Sequence, residues 1–189
     1  VNAKNTASRA RANVSNTQNV DCAGNFHAPL AKPAGFFIAM KPYEVREMEL
    51  LISDDKAMLD RALIHRYLSE YSYWARGVPR EIVDRSIEHS LCFGVYRGGQ
   101  QIGFARVVTD FATFAWLADV FIAEEGRGHG FSKKLVAAVL AHPKLQGLRR
   151  FMLGTLDAHG LYARFGFKPL AQPERFMEIR SENSYKCGC

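Results

Sequence analysis

Residues 124–132 constrain this chain more than any other segment. Before them, Phe114–Ile122 reads as an extended apolar run; after them, Phe131, Leu135, Ala138 and Val139 recur at helical spacing. The turn between is polar and carries Gly126, Gly128 and Gly130. A glycine-rich turn from strand to helix brings unpaired backbone N–H groups and the positive end of the helix dipole to one point. Glycines there let the backbone turn sharply and let a diphosphate approach the amides. The chain is therefore expected to build a mixed α/β domain around an anion-binding strand–turn–helix unit. Neither of two common phosphate loops fits the spacing. A Walker loop needs four residues between its glycines and then Lys-Ser/Thr, which is missing; a GxGxxG fingerprint would end on Phe131 or Lys133.

The flanking pattern supplies the rest of the sheet. Residues 48–52 read as a short strand, and Ser53-Asp54-Asp55 as a helix start. Leu59, Leu63, Tyr67 and Tyr71 then repeat every four residues, with Ala62, Ile64 and Leu68 widening the apolar face. Gly77 and Pro79 open a second helix lined by Ile82, Val83 and Ile87. Strands at 91–96 and 101–108 flank Arg97-Gly98-Gly99-Gln100, a hairpin turn, and Phe114–Ile122 completes a meander. The helix after the glycine turn ends near Ala141-His142-Pro143. A strand at 151–155, a short helix at 158–165 closed by Gly166, and two strands at 167–170 and 176–179 are expected to finish the domain. No internal repeat is present.

With 189 residues, 48% hydrophobic and 23% charged, one domain with a sizeable core is expected. Residues 1–45 lack periodicity and read as a disordered extension, 46–181 as the folded domain, and 182–189 as a flexible tail. No apolar run of about 18 residues exists, so a soluble, cytoplasmic protein without membrane association is expected. Cys22, Cys92, Cys187 and Cys189 form neither a disulfide framework nor a zinc pattern, and no metal site is expected. The net charge is +6, but about half of the excess sits in the first 47 residues, so nucleic-acid binding is a minor reading.

The loop matches Arg/Gln-x-x-Gly-x-Gly/Ala with Arg127, Gly130 and Ser132, the serine being a departure from the small residue usual there. Together with Leu117-Ala118-Asp119-Val120-Phe121-Ile122 before it and Ala158-His159-Gly160-Leu161-Tyr162-Ala163-Arg164-Phe165-Gly166-Phe167 after it, the chain resembles the GNAT superfamily of N-acyltransferases over residues 48–179. That resemblance implies a central mixed sheet of six to seven strands with about four helices. It also implies acetyl-CoA as acyl donor, its pyrophosphate on Arg127, Gly128, His129, Gly130, Phe131 and Ser132, and its thioester carbonyl near the backbone N–H groups of Phe121 and Ile122.

Acyl transfer from a thioester to an amine needs an unprotonated nucleophile, stabilisation of the oxyanion and a proton for the departing thiolate. The resemblance implies Tyr162 as that acid. Asp119, interrupting an apolar strand, is the leading proton acceptor, with an ordered water or a merely solvent-facing Asp as the other readings. Tyr73 and Trp74 either stack on the acceptor or plug the helices; Arg76 either binds an acceptor carboxylate or is solvated. The expected function is N-acetylation of a primary amine on a small molecule, peptide or protein, against the alternative of a non-catalytic acyl-CoA sensor. Oligomeric state stays open, a homodimer included.

Overall fold

The computed structural model describes residues 41–181 and residue 185. Its strands are β1 (Glu44–Glu47), β2 (Leu50–Ser53), β3 (Leu91–Arg97), β4 (Gln100–Thr109), β5 (Phe114–Ile122) and β6 (Arg150–Leu153). They form one six-stranded sheet in sequence order, antiparallel throughout except for the parallel pair β5 and β6. Parallel neighbours cannot be joined by a tight turn. The crossover carries α3 (Phe131–Ala141); α1 (Arg61–Arg66), α2 (Arg80–Glu88) and α4 (His159–Ala163) complete the helices. The expected mixed α/β architecture is thus present, with six strands and four α-helices among the described residues.

Period-two alternation sorts the central strands between two cores. Phe93, Val95, Ala105, Val107 and Leu117 pack with Leu135, Val136 and Val139 of α3. Cys92, Phe104 and Phe121 pack with Ile64, Leu68, Val83 and Ile87 of α1 and α2. Covered on both faces, β3 and β4 are nearly continuously buried. Burial pushes the Cys92 thiol up to about 12, which makes it a packing residue.

Several elements differ from the sequence expectation. Glu44–Glu47 is a strand although it lies across the boundary of the expected extension; residues 1–40 lie outside the described residues, as do 182–184 and 186–189. Edge strand β1 is largely exposed, so no apolar alternation marks it. The first helix starts later than Ser53-Asp54-Asp55 predicts. Asp55 caps only a 3₁₀ turn, and Asp60 caps α1 by accepting from the N–H groups of Ala62 and Leu63 at 3.0 and 2.9 Å. The helix then loosens into a π-turn over Tyr67–Tyr71, which rotates Tyr71 out to solvent. The strands expected at 167–170 and 176–179 do not form; that stretch is irregular apart from a 3₁₀ turn at Pro173–Arg175.

An unexpected polar node ties β1 to α3. Buried His142 donates from Nε2 to Asp54 Oδ2 at 3.1 Å and accepts the Lys144 N–H at Nδ1, while Asp54 Oδ1 accepts the Tyr43 N–H at 2.7 Å. Both ring nitrogens are satisfied by one neutral tautomer.

Candidate functional site

The site forms where β5 leaves β6. The two strands pair only from Phe114/Arg150 to Leu117/Leu153, so beyond Leu117 that edge of β5 has no strand partner among the described residues. On its other side β5 carries a bulge. Ala118 pairs with Arg106 and Phe121 with Phe104, leaving Asp119 and Val120 opposite the single residue Ala105. Asp119 takes the left-handed conformation, φ 53°, which a short polar side chain tolerates better than most.

Two clefts meet there. One, about 450 Å³, is lined by Trp74, Arg106, Trp116 and Leu156 among others. The other, about 430 Å³, runs past Phe121 and Ile122 to Arg127, Gly128, Gly130, Phe131 and Ser132. They share Tyr73, Trp74, Val120, Asp157, Ala158 and Tyr162.

The second cleft is floored by the glycine loop. Gly128 and Gly130 have φ of 79° and 74°, in the region that favours glycine, and Gly130 stands at the N-cap of α3. Gly126 serves packing, since a Cβ there would lie 2.9 Å from Ile122. Arg127 reaches back, donating from Nη2 to the Tyr67 hydroxyl at 3.2 Å and from Nε to the Ile122 carbonyl at 3.3 Å. The Tyr67 ring stacks on Phe121 at 3.8 Å. The loop is thereby held against β5. His129 turns away from the cleft lining: its Nδ1 lies 2.7 Å from the Arg127 carbonyl and its ring stacks on Phe131 at 5.4 Å.

Tyr162 sits at the junction. Its ring is buried against Phe167, and its hydroxyl has no hydrogen-bond partner among the described residues. Burial, with the nearby Tyr73 and Asp157, pushes its phenol up to about 12, so it carries its proton at neutral pH. Tyr73 bridges the cleft, its hydroxyl accepting the Leu156 N–H at 2.9 Å while its ring meets Trp74 edge-on at 4.9 Å.

Both carboxylate oxygens of Asp119 are engaged. Arg106 Nε donates to Oδ2 at 2.6 Å and Trp74 Nε1 to Oδ1 at 3.1 Å, and Arg106 Nη1 also donates to Ser90 Oγ. Arg106, which no sequence motif marks, is thus a principal wall residue. Its signal was legible: a cation within an apolar strand needs a partner. Arg76, by contrast, is exposed and lines neither cleft. Among the described residues no group of His, Cys, Asp and Glu is placed to hold a metal ion, and no helix is long and apolar enough to cross a membrane.

The family model for the acetyltransferase (GNAT) family matches residues 61–167. A curated protein of Gibberella zeae, named as an acetyltransferase, is 30% identical over 146 residues, covering 66% of this chain and 81% of that one. A Xanthomonas campestris crystal structure assigned by name to the GNAT acetyltransferases superposes with a TM-score of 0.71 at 53% identity, covering 73% of this chain and 97% of that chain. A GNAT-family acetyltransferase of Elizabethkingia anophelis with acetyl-CoA bound shares the fold at a TM-score of 0.51 and 16% identity, covering 75% of this chain and 94% of its own.

Proposed function

We propose that this chain, which belongs to the acetyltransferase (GNAT) family, moves an acetyl group from acetyl-CoA directly to a primary amine of a small molecule, peptide or protein. The observation that carries this reading is the meeting of the two clefts at Tyr162, one ending on the anion-binding loop and the other on aromatic side chains. The donor fits the residues present. Left-handed Gly128 and Gly130 and the start of α3 offer backbone N–H groups to a pyrophosphate, with Arg127 and Ser132 beside them. Beyond Leu117 the edge of β5 that β6 leaves unpaired offers backbone groups to an extended amide-bearing arm, apart from the Ile122 carbonyl that Arg127 holds.

Acetyl-CoA supplies a thioester, whose carbonyl carbon is electrophilic and whose sulfur is the leaving group. The chain's own residues orient and move protons. Tyr162 holds a proton at its hydroxyl at the cleft junction, ready for a departing sulfur. Tyr73 and Trp74 line the junction of the two clefts, and Asp119, itself held by Arg106, fixes the Trp74 indole.

The test is a thiol-release assay with a panel of amines. Release that requires an amine and yields the acetylated product supports the reading; tight acetyl-CoA binding with no turnover of any amine would leave a sensor instead.

A further inference from the structure

Within the acceptor-side cleft the charges are not balanced. Arg106 and Asp119 neutralise each other at 2.6 Å, and both are mostly shielded from solvent. That leaves Asp157, which has no ion-pair or hydrogen-bond partner among the described residues and lines both clefts. It is placed by the turn between β6 and α4: the Leu156 N–H is held by Tyr73, and the Ala158 N–H by Thr155 Oγ1 at 3.0 Å. The turn is therefore pinned on both sides of Asp157. The same cleft is lined by Tyr73, Trp74 and Trp116, each large, aromatic and more than a third exposed toward solvent. Aromatic faces left open in one cleft suit a flat ligand body, and they also attract cations.

Resting on the acetyltransferase reading, we infer that the acceptor is a single amine carried on a flat unsaturated body, and that Asp157 binds its ammonium and takes its proton. Asp119, held by Arg106 and Trp74, is a positioning residue for the wall. The step balances. The ammonium gives one proton to the Asp157 carboxylate, which is exposed and passes it to water. The freed nitrogen pair forms the N–C bond to the acetyl carbon. The C–S bond breaks with its electron pair on sulfur, sulfur takes the Tyr162 proton, and the proton still to be shed by nitrogen restores Tyr162. A carboxylate that merely favoured the start of α4 would give no discrimination between charged and neutral ligands.

The experiment uses the full chain saturated with CoA and titrated calorimetrically with tryptamine and with tryptophol, which shares the indole but lacks the charge. The wild-type protein is expected to bind tryptamine about tenfold tighter or more, and Asp157→Asn to reduce that preference to about twofold while leaving tryptophol unchanged. Equal affinities in the wild type, retention of the preference in Asp157→Asn, or failure of both compounds to bind would overturn the inference. In the transfer assay Asp157→Asn is expected to lower kcat/KM for tryptamine about 100-fold, with acetyl-CoA affinity unchanged and partial rescue by Asp157→Glu. An undiminished rate would overturn the proton-accepting role. If the wild-type protein turned over no amine at all, the function and the proton step would both fall, while the tryptamine–tryptophol comparison would still decide the binding step.

Discussion

Replacing Asp119 separates a structural from a chemical role, because two physical effects at that position, its charge pair and its backbone conformation, are resolved by three substitutions. The carboxylate pairs with Arg106 at 2.6 Å, with side-chain exposures of 18% for Arg106 and 11% for Asp119. Removing one partner of a shielded pair leaves the other charge under-solvated, which costs about 2–3 kcal/mol at this partial burial. The backbone at φ 53° adds a second effect. Asparagine tolerates that conformation, alanine costs about 1 kcal/mol more, and glycine removes that cost. Stability should therefore fall in the order wild type, Asp119→Asn, Asp119→Ala, with Asp119→Gly above Asp119→Ala. For a domain of this size the asparagine change corresponds to a Tm lowered by roughly 4–12 °C. Urea unfolding followed by tryptophan fluorescence reads this directly, since Trp74 and Trp116 both line the cleft. Equal stability of the glycine and alanine variants would refute the strain argument. Unchanged stability with abolished turnover in Asp119→Asn would refute the anchoring role and make Asp119 the proton acceptor after all.

Other perturbations act on separate parts of the molecule. Gly130→Ala forces an alanine to φ 74° at the N-cap of α3 and should weaken acetyl-CoA binding about fivefold or more by calorimetry, with little change in fold by circular dichroism. Burial raises the Tyr162 phenol to about 12, so its contribution to stability is full below the unfolded value near 10 and lost as pH rises through about 12. A kcat profile should accordingly show no loss from this group up to about pH 10; a basic limb near pH 8 that disappears in Tyr162→Phe would contradict it. His142→Leu strands the Asp54 carboxylate and should cost about 2–4 kcal/mol in urea unfolding, with acetyl-CoA affinity intact.

The features legible in the sequence are those governed by local rules. The hairpin at Gly98-Gly99, the extended run Phe114–Ile122 and the entry into α3 depend on turn chemistry and on the change from strand to helical period, which neighbouring residues display. The segments that escaped depend on what lies across space. β1 is a polar edge strand whose register comes from β2, and nothing in Glu-Val-Arg-Glu announces it. The bulge at Asp119 arises from a mismatch between two strands, invisible in either alone. Arg106 and Asp119 are thirteen positions apart, and only the antiparallel pairing of β4 and β5 brings their charges together. Asp157 precedes a recognisable helix segment and in the sequence reads as a solvated loop residue. Its significance comes from the partners the other charged residues found first.

Both clefts are lined by Tyr162, and comparing Tyr162→Phe with the wild-type protein in acetyl-CoA affinity and in kcat tests whether its hydroxyl serves the transfer. The variant is expected to keep a Kd within about twofold and to lose about 100-fold or more in kcat, as when a proton donor is removed from an otherwise intact site. Equal losses in affinity and turnover, or no loss in either, would contradict that role.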